Sequence, residues 1–178
     1  MLINERTSRK DYLLQVARQL MTAARTAPKA KGVDIIEIAV ATGEDIQRIS
    51  DKLIELGPTT GMKFFLRDAE NILQADALLL VGTKTETMLL NCGYCGFASC
   101  AEKLKHPACP CHLNAVDVGI AIGSACTAAA DLRVDTRVMF SAGFAAKELG
   151  LLENCQAVYA LPISASSKNP FFDRQPKN

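Results

Sequence analysis

Apolar residues recur at helical spacing over residues 11–26, DYLLQVARQLMTAART: Leu13, Val16, Ala17, Leu20, Ala23 and Ala24 share one face, which predicts a helix. Asp11 is placed to cap it. Pro28 disfavours helical geometry at Ala27, so the helix should stop there. A loop, PKAKG, follows, and DIIEIAVAT (34–42) reads as a buried strand. GEDIQRISDKLIELG (43–57) is amphipathic, with Ile46, Ile49, Leu53 and Ile54 on one face and Gly57 as a stop. FFLRDAENILQA (64–75) predicts a strand end followed by a short helix, and DALLLVGT (76–83) a second buried strand. Residues 114–132 predict a helix rich in glycine and alanine, which a neighbour can approach closely. RVMFSAG (137–143) predicts a strand, AAKELGL a short helix and QAVYALPI (156–163) the last strand. In the polar tail SASSKNPFFDRQPKN, Phe171 and Phe172 would anchor the chain to its own body or to a second subunit.

Alternating strands and helices place the chain in the α/β or interleaved α+β class, with one sheet covered by helices. The pattern fits one domain over 1–178, interrupted by a cysteine-rich insert over 91–111. Composition supports this: 178 residues with 49% hydrophobic content suffice for one core. Twenty basic against nineteen acidic residues leave a net charge of +1, so no electrostatic drive toward nucleic acid or an anionic membrane is expected. The first residues, MLINERTSRKDYLL, lack the apolar stretch of a secretory signal. The longest apolar run, residues 118–130, is shorter than the roughly 20 residues of a membrane span. A cytoplasmic, reducing location is the expectation, where clustered cysteines bind metal or do redox chemistry more often than they form structural disulfides.

Five of the chain's seven cysteines lie in NCGYCGFASCAEKLKHPACPC, residues 91–111. Cys92-x2-Cys95-x4-Cys100 is followed by Cys109 and Cys111. A Cys-x2-Cys pair points two sulfurs at a common centre. Gly93 and Gly96 permit backbone shapes other residues resist, and their N–H groups are candidates to hydrogen-bond sulfur. Cys100 would open a short helix, a favourable place for a thiolate. Cys109 and Cys111 compete as fourth ligand. A structural zinc site usually pairs two short knuckles; the second is missing here, although His106 and His112 could complete one. Spacing alone leaves an iron–sulfur cluster, zinc and unmetallated reactive thiols open. Cys126 and Cys155, in apolar settings, read as inert core cysteines.

Elsewhere Arg25, Thr26, Lys29 and Lys31 cluster after the first helix. They are candidates to grip a phosphate or a flavin side chain, and equally suit a solvated helix C-terminus. No Ser/His/Asp set, phosphate loop or paired carboxylate stands out, and both histidines lie beside the cysteines.

The segment NCGYCGFASCAEKL resembles the small four-iron domain of corrinoid iron–sulfur proteins, whose pattern is Cys-Gly-x-Cys-Gly-x-x-x-Cys, then a helix, then a fourth cysteine. The fourth cysteine arrives earlier here. Blocks along nearly the whole chain, AARTAPKAKGVD, FLRDAENI, CHLNAVDVGIAIGSA, RVMFSAG and LPISASSKNPFFDR, are similar to a family of uncharacterised prokaryotic proteins described as containing a ferredoxin domain. That resemblance implies a 4Fe-4S cluster on Cys92, Cys95, Cys100 and Cys111. In the family a cysteine stands six residues before the Asp of the D-x-GIA block, as Cys111 stands before Asp117. Cys109 is the alternative. ARTAPKAKG and DVGIAIGSA resemble blocks of the flavin-dependent nitroreductases, and ERTSRK is a loose echo of their phosphate-gripping stretch. This second resemblance implies a helix-covered mixed sheet, bound FMN, for which Arg25, Thr26 and Lys29 are the candidates noted above, and a homodimer. Together they imply electron transfer to a redox partner protein or a small-molecule acceptor.

Overall fold

The computed structural model describes residues 1–174; the last four residues of the predicted domain and tail, 175–178, lie outside the described residues. The first helix, α1 (Glu5–Thr26), starts six residues earlier than its apolar face predicts, because Asn4 and not Asp11 caps it, accepting from Arg6 N at 3.0 Å. It ends before Pro28, as expected. A single 3-10 turn, Ala30–Gly32, leads into strand β1 (Ile36–Ala41). Helix α2 (Glu44–Thr60) runs past Gly57 and Pro58 to Gly61, whose φ of 70° supplies the left-handed C-terminal turn. Gly57 is used for packing instead: a Cβ there would stand 3.0 Å from Leu66 Cδ2.

The next segment is helical throughout, as α3 (Phe64–Ile72), and contains no strand end. Phe65, Asp68, Ala69 and Ile72 are buried at helical period, and this face decides the matter over the β-leaning Phe-Phe-Leu run. Strand β2 (Ala77–Lys84) is followed by the cysteine-rich segment, a short helix α4 (Cys100–Leu104) and the long α5 (His112–Asp131). The apolar run of 118–130 thus lies in a 20-residue helix that is long and apolar enough, by composition alone, to cross a membrane. Here Val118, Ala121, Ala125 and Ala129 are buried against α1 and the sheet.

A two-residue strand, β3 (Asp135–Thr136), precedes α6 (Phe140–Glu148), and β4 (Cys155–Ser164) closes the sheet. The strand predicted over 137–143 is therefore largely helix. Met139 makes one bridge to Ala160 of β4, and the chain then turns into α6. Its small residues explain the helix: Ser141, Ala142, Gly143, Ala145 and Ala146 are all buried, Gly143 against β4 and Ser141 toward Asp68 of α3. A Cβ at Gly143 would lie 2.2 Å from Val158 O.

The strand order is β1-β2-β4-β3. The class is the expected α+β with one helix-covered sheet; the pairing, expected to be mixed, is antiparallel at every pair. Leu79 and Val81 of β2 face α1 and α5, while Leu78 and Leu80 face α2, α3 and α6. Both faces are covered, so β2 reads as an unbroken apolar run, a pattern more usual in parallel sheets. The end of the described chain is strapped down. Phe171 is fully buried, and its carbonyl accepts from Asn71 at 3.0 Å and Arg137 at 2.9 Å. Asp68, buried beneath, accepts from Arg67, Arg137 and the Ser141 hydroxyl. Phe171 thus anchors the tail to the body, and Phe172 lies under the Arg137 guanidinium.

Gly143→Ala should destabilise the fold by about 3 kcal/mol, because the obstacle is strand backbone that cannot move aside. Gly123→Ala, on the exposed side of α5 with nothing within 4 Å of the added methyl, should be neutral or slightly stabilising. Urea unfolding midpoints of the two variants test the contrast.

Candidate metal centre

Between the end of β2 at Lys84 and the start of α5, the chain leaves the sheet and is tied back at several points. Asn114, buried in the first turn of α5, donates to Lys84 O at 3.3 Å and Glu86 O at 2.6 Å. Lys103, buried on α4, donates to Thr85 O at 3.0 Å. Lys31 reaches Met88 O at 3.2 Å, and Gln156 of β4 donates to Pro107 O. The cysteines therefore sit on a loop fastened to both flanking helices, to β4 and to the turn after α1.

All seven cysteines are free thiols. Cys92 is exposed, Cys95, Cys100 and Cys109 are half-buried, and Cys111 is buried at the N-cap of α5. A reciprocal pair closes the loop: Asn91 N donates to Cys100 Sγ at 3.3 Å, and Cys100 N donates to Asn91 Oδ1 at 2.8 Å. Gly93 and Gly96 take φ of 72° and 85°, shapes that need no Cβ. The Gly96 N–H, a candidate donor to sulfur, is engaged by Gly93 O at 2.9 Å; the backbone donor that does meet sulfur is Asn91. Ser99 caps α4 by accepting from Glu102 N at 3.2 Å, which places Cys100 in the first turn as its sequence position suggests. Both histidines pack on aromatic rings of the loop, His106 stacked on Phe97 at 4.9 Å and His112 edge-on to Tyr94 at 5.7 Å.

Among the described residues, no group of three or more His, Cys, Asp or Glu side chains is gathered closely enough to hold a metal ion. Cys92, Cys95, Cys100 and Cys111 are thus brought to one loop and its return, but not to one centre. In chemical kind they fit a four-thiolate cluster: every sulfur is a free thiol, the loop is closed, and a backbone N–H already donates to one sulfur. The two contenders for fourth ligand differ. Cys111 is buried and fixed at a helix start, whereas Cys109 is half-buried and turns its thiol toward Pro110 O at 3.7 Å.

The candidates at the end of α1 have partners of their own. Arg25 donates to Asp34 at 2.7 Å and to Ile36 O at 2.6 Å. Thr26 bonds back to Thr22 O at 3.0 Å, and Lys29 holds the last carbonyls of α1, those of Arg25 and Ala27. Arg25 also lines a shallow cavity of about 250 Å³ with Met21, Thr22 and Ile38, below the usual size of a ligand pocket. In ERTSRK, Thr7 and Ser8 bond to Asn4 O, and Arg9 grips Glu5 and Ala165 O within and beside α1. Sequence reasoning passed over Asn91, Lys103, Asn114 and Gln156. All four lie beside a cysteine or one turn from one, which was the available signal.

The fold places the chain among nitroreductase-like α+β proteins. It superposes on a nitroreductase of Desulfitobacterium hafniense with bound FMN at a TM-score of 0.58, with 16% identity, 89% of this chain and 79% of that one covered. A nitroreductase of Lactococcus lactis in complex with nicotinic acid gives 0.60, also at 16% identity, covering 99% and 86%. At sequence level, residues 107–174 match the model of a family described as uncharacterised proteins containing a ferredoxin domain. An uncharacterised protein of Archaeoglobus fulgidus is 41% identical over an alignment of 185 residues, covering 99% of this chain and all of that one. The chain belongs to this family of ferredoxin-domain proteins. The matched region includes Cys109 and Cys111 and begins after Cys100.

Burial pushes the Cys126 thiol up, and burial, with Glu37 nearby, pushes Cys155 up to about 11. At pH 8 the thiolate fraction of Cys155 is about one in a thousand. Anaerobic iodoacetamide labelling read by peptide mass spectrometry should therefore modify exposed Cys92 first and Cys126 and Cys155 last. The Cys155 lag should hold below about pH 9 and vanish as the pH rises through 11.

Proposed function

We propose that this chain is an iron–sulfur redox protein that transfers electrons through a 4Fe-4S cluster bound by Cys92, Cys95, Cys100 and Cys111. The observation that carries the reading is the loop itself: a Cys-Gly-x-Cys-Gly-x-x-x-Cys segment of free thiols, closed by the Asn91–Cys100 pair. The family's description as containing a ferredoxin domain supports it. A cluster with four thiolate ligands has no open iron site and supplies one-electron transfer. The chain's own part is to hold the sulfurs, to donate from Asn91 N to Cys100 Sγ, and to exclude water at the Cys111 end, where the thiol is buried. The partner on this reading is another redox protein or a small acceptor in the cytoplasm, and the chain acts as a homodimer.

Protein purified without oxygen should be brown, carry about four iron and four sulfide per chain, and give an electron paramagnetic resonance signal on reduction. Cys111→Ser should lose most of the iron and Cys109→Ser should keep it; the reverse would exchange the two roles. Stoichiometric zinc without iron would overturn the reading in favour of a zinc-stabilised binding module. Reversible metal loss on oxidation would instead mark a thiol sensor.

The likeness to a nitroreductase with bound FMN favours a second, compatible reading in which the same scaffold binds FMN and passes it the electron. On this reading FMN fluorescence is quenched saturably with a one-to-one endpoint on titration with protein. A signal that never saturates would leave the fold alone in common.

A further inference from the structure

Three charged side chains are buried among the described residues: Asp68, Asp117 and Lys103. Asp68 meets two guanidinium groups, and both oxygens of Asp117 accept from Ala30 N at 3.1 Å. Lys103 differs. It is 1% exposed, donates once, to Thr85 O, and has no carboxylate within ion-pair distance among the described residues. An ammonium group offers three donors, and burying it without a counter-charge is costly. Glu102, the acid beside it on α4, is taken by Lys105 and His106. The Thr87 hydroxyl and the Asn114 Oδ1 are likewise buried without a partner, as are Thr136 Oγ1 and Gln156 Oε1. The one buried cation without a carboxylate partner among the described residues lies one helical turn from Cys100, on the same face of α4.

We propose that Lys103 is the resident counter-charge of the cluster, a positioning residue that sets its reduction potential without ligating iron; this rests on the iron–sulfur reading above. Four thiolates around an oxidised four-iron core carry a net charge of about −2. One electron from a low-potential one-electron donor, dithionite in the test, makes it more negative by one. No proton moves. A fixed ammonium stabilises the reduced state more than the oxidised one, and it also offsets the charge of the assembled site.

Two neutral variants separate charge from hydrogen bonding. Lys103→Met keeps the length of the side chain and removes the charge. Lys103→Gln also removes the charge but keeps an N–H for Thr85 O. After anaerobic reconstitution, both should be reduced about tenfold less readily, a potential lower by ~59 mV for one electron, in a resonance-monitored titration with iron and sulfide measured on the same samples. Metal-free Lys103→Met should melt higher than metal-free wild type, because a buried unpaired charge is gone; a residue that only pinned the loop would lower both melting temperatures. Iron-loaded variants with wild-type potentials would overturn the Lys103 assignment and leave the cluster reading standing. Wild-type protein that takes up no iron would overturn both. If neither neutral variant folds, Lys103 is a structural pin and the assignment falls.

Discussion

Leu78, Leu79, Leu80 and Val81 are fully buried between two helical layers, while β2 is hydrogen-bonded along both edges, to β1 and to β4. At about 1.5–3 kcal/mol for each large side chain removed from water, this strand contributes more apolar burial per residue than any edge strand could. Its constraint is two-sided. A one-residue slip would exchange the sets facing α1/α5 and α2/α3/α6, and both layers would lose their fit. Gly82 shows how tight the register is: a Cβ there would meet Cys155 Sγ at 2.9 Å. The same contact that fixes β2 against β4 thus also keeps the Cys155 thiol dry and protonated.

Because β2 is paired on both edges and buried on both faces, its end is defined by the scaffold, and the cysteine-rich segment begins there. The carbonyls of Lys84, Thr85 and Glu86 are no longer in the ladder with β1 or β4 along their full length, and Asn114 and Lys103 take them up. The loop is therefore not a free excursion. Its first residues are held by α5 and α4, Met88 is buried, and its far end is held by Gln156. Loops positioned by a rigid scaffold are where function concentrates. Here the scaffold fixes the two ends of the cysteine run while leaving Cys92 in solvent.

Most of the scaffold was legible from apolar spacing because α1, α2, α5, β2 and β4 each bury a face or a run; β1, expected as a buried strand, is a half-buried edge strand, since only β2 pairs with it. The two segments whose type differs from expectation share a cause. In α3 the local Phe-Phe-Leu run favours a strand, and in α6 the leading Val-Met-Phe does. In both, the deciding contacts lie far off in sequence, Asp68 with Arg137 and Ser141 for α3 and Gly143 against Val158 for α6. Within the site, the thiols were legible as residue types. Asn91, Lys103 and Asn114 were not, since an asparagine or lysine beside a cysteine carries no periodic signal and its partner is a backbone carbonyl or a sulfur. The cluster of cations after α1 shows the converse. Arg25 and Lys29, a candidate anion site in one dimension, also hold Asp34, the Ile36 carbonyl and the end of their own helix, contacts that no spacing in the sequence announces.

The family match begins at Pro107, so the cysteine run straddles its boundary. Cys109, Cys111, α5, α6 and β4 fall inside, and Cys92, Cys95 and Cys100 fall outside. This division corresponds to a physical one. Cys111 is built into the scaffold, as the N-cap of the helix that packs on α1 and β2, and it cannot shift without moving α5. Cys92, Cys95 and Cys100 belong to a loop whose shape depends on two glycines with positive φ and one asparagine cross-link, features that need only local chain to form. On the proposed iron–sulfur reading, gathering the sulfurs would be a matter of a small, locally closed loop folding onto the Cys111 thiol. The asymmetry also bears on which cysteine closes the site. On the proposed iron–sulfur reading, a ligand at the buried start of α5 would define where the others must come, whereas Cys109, followed by Pro110 and facing a carbonyl, would lie on the part of the chain that accommodates.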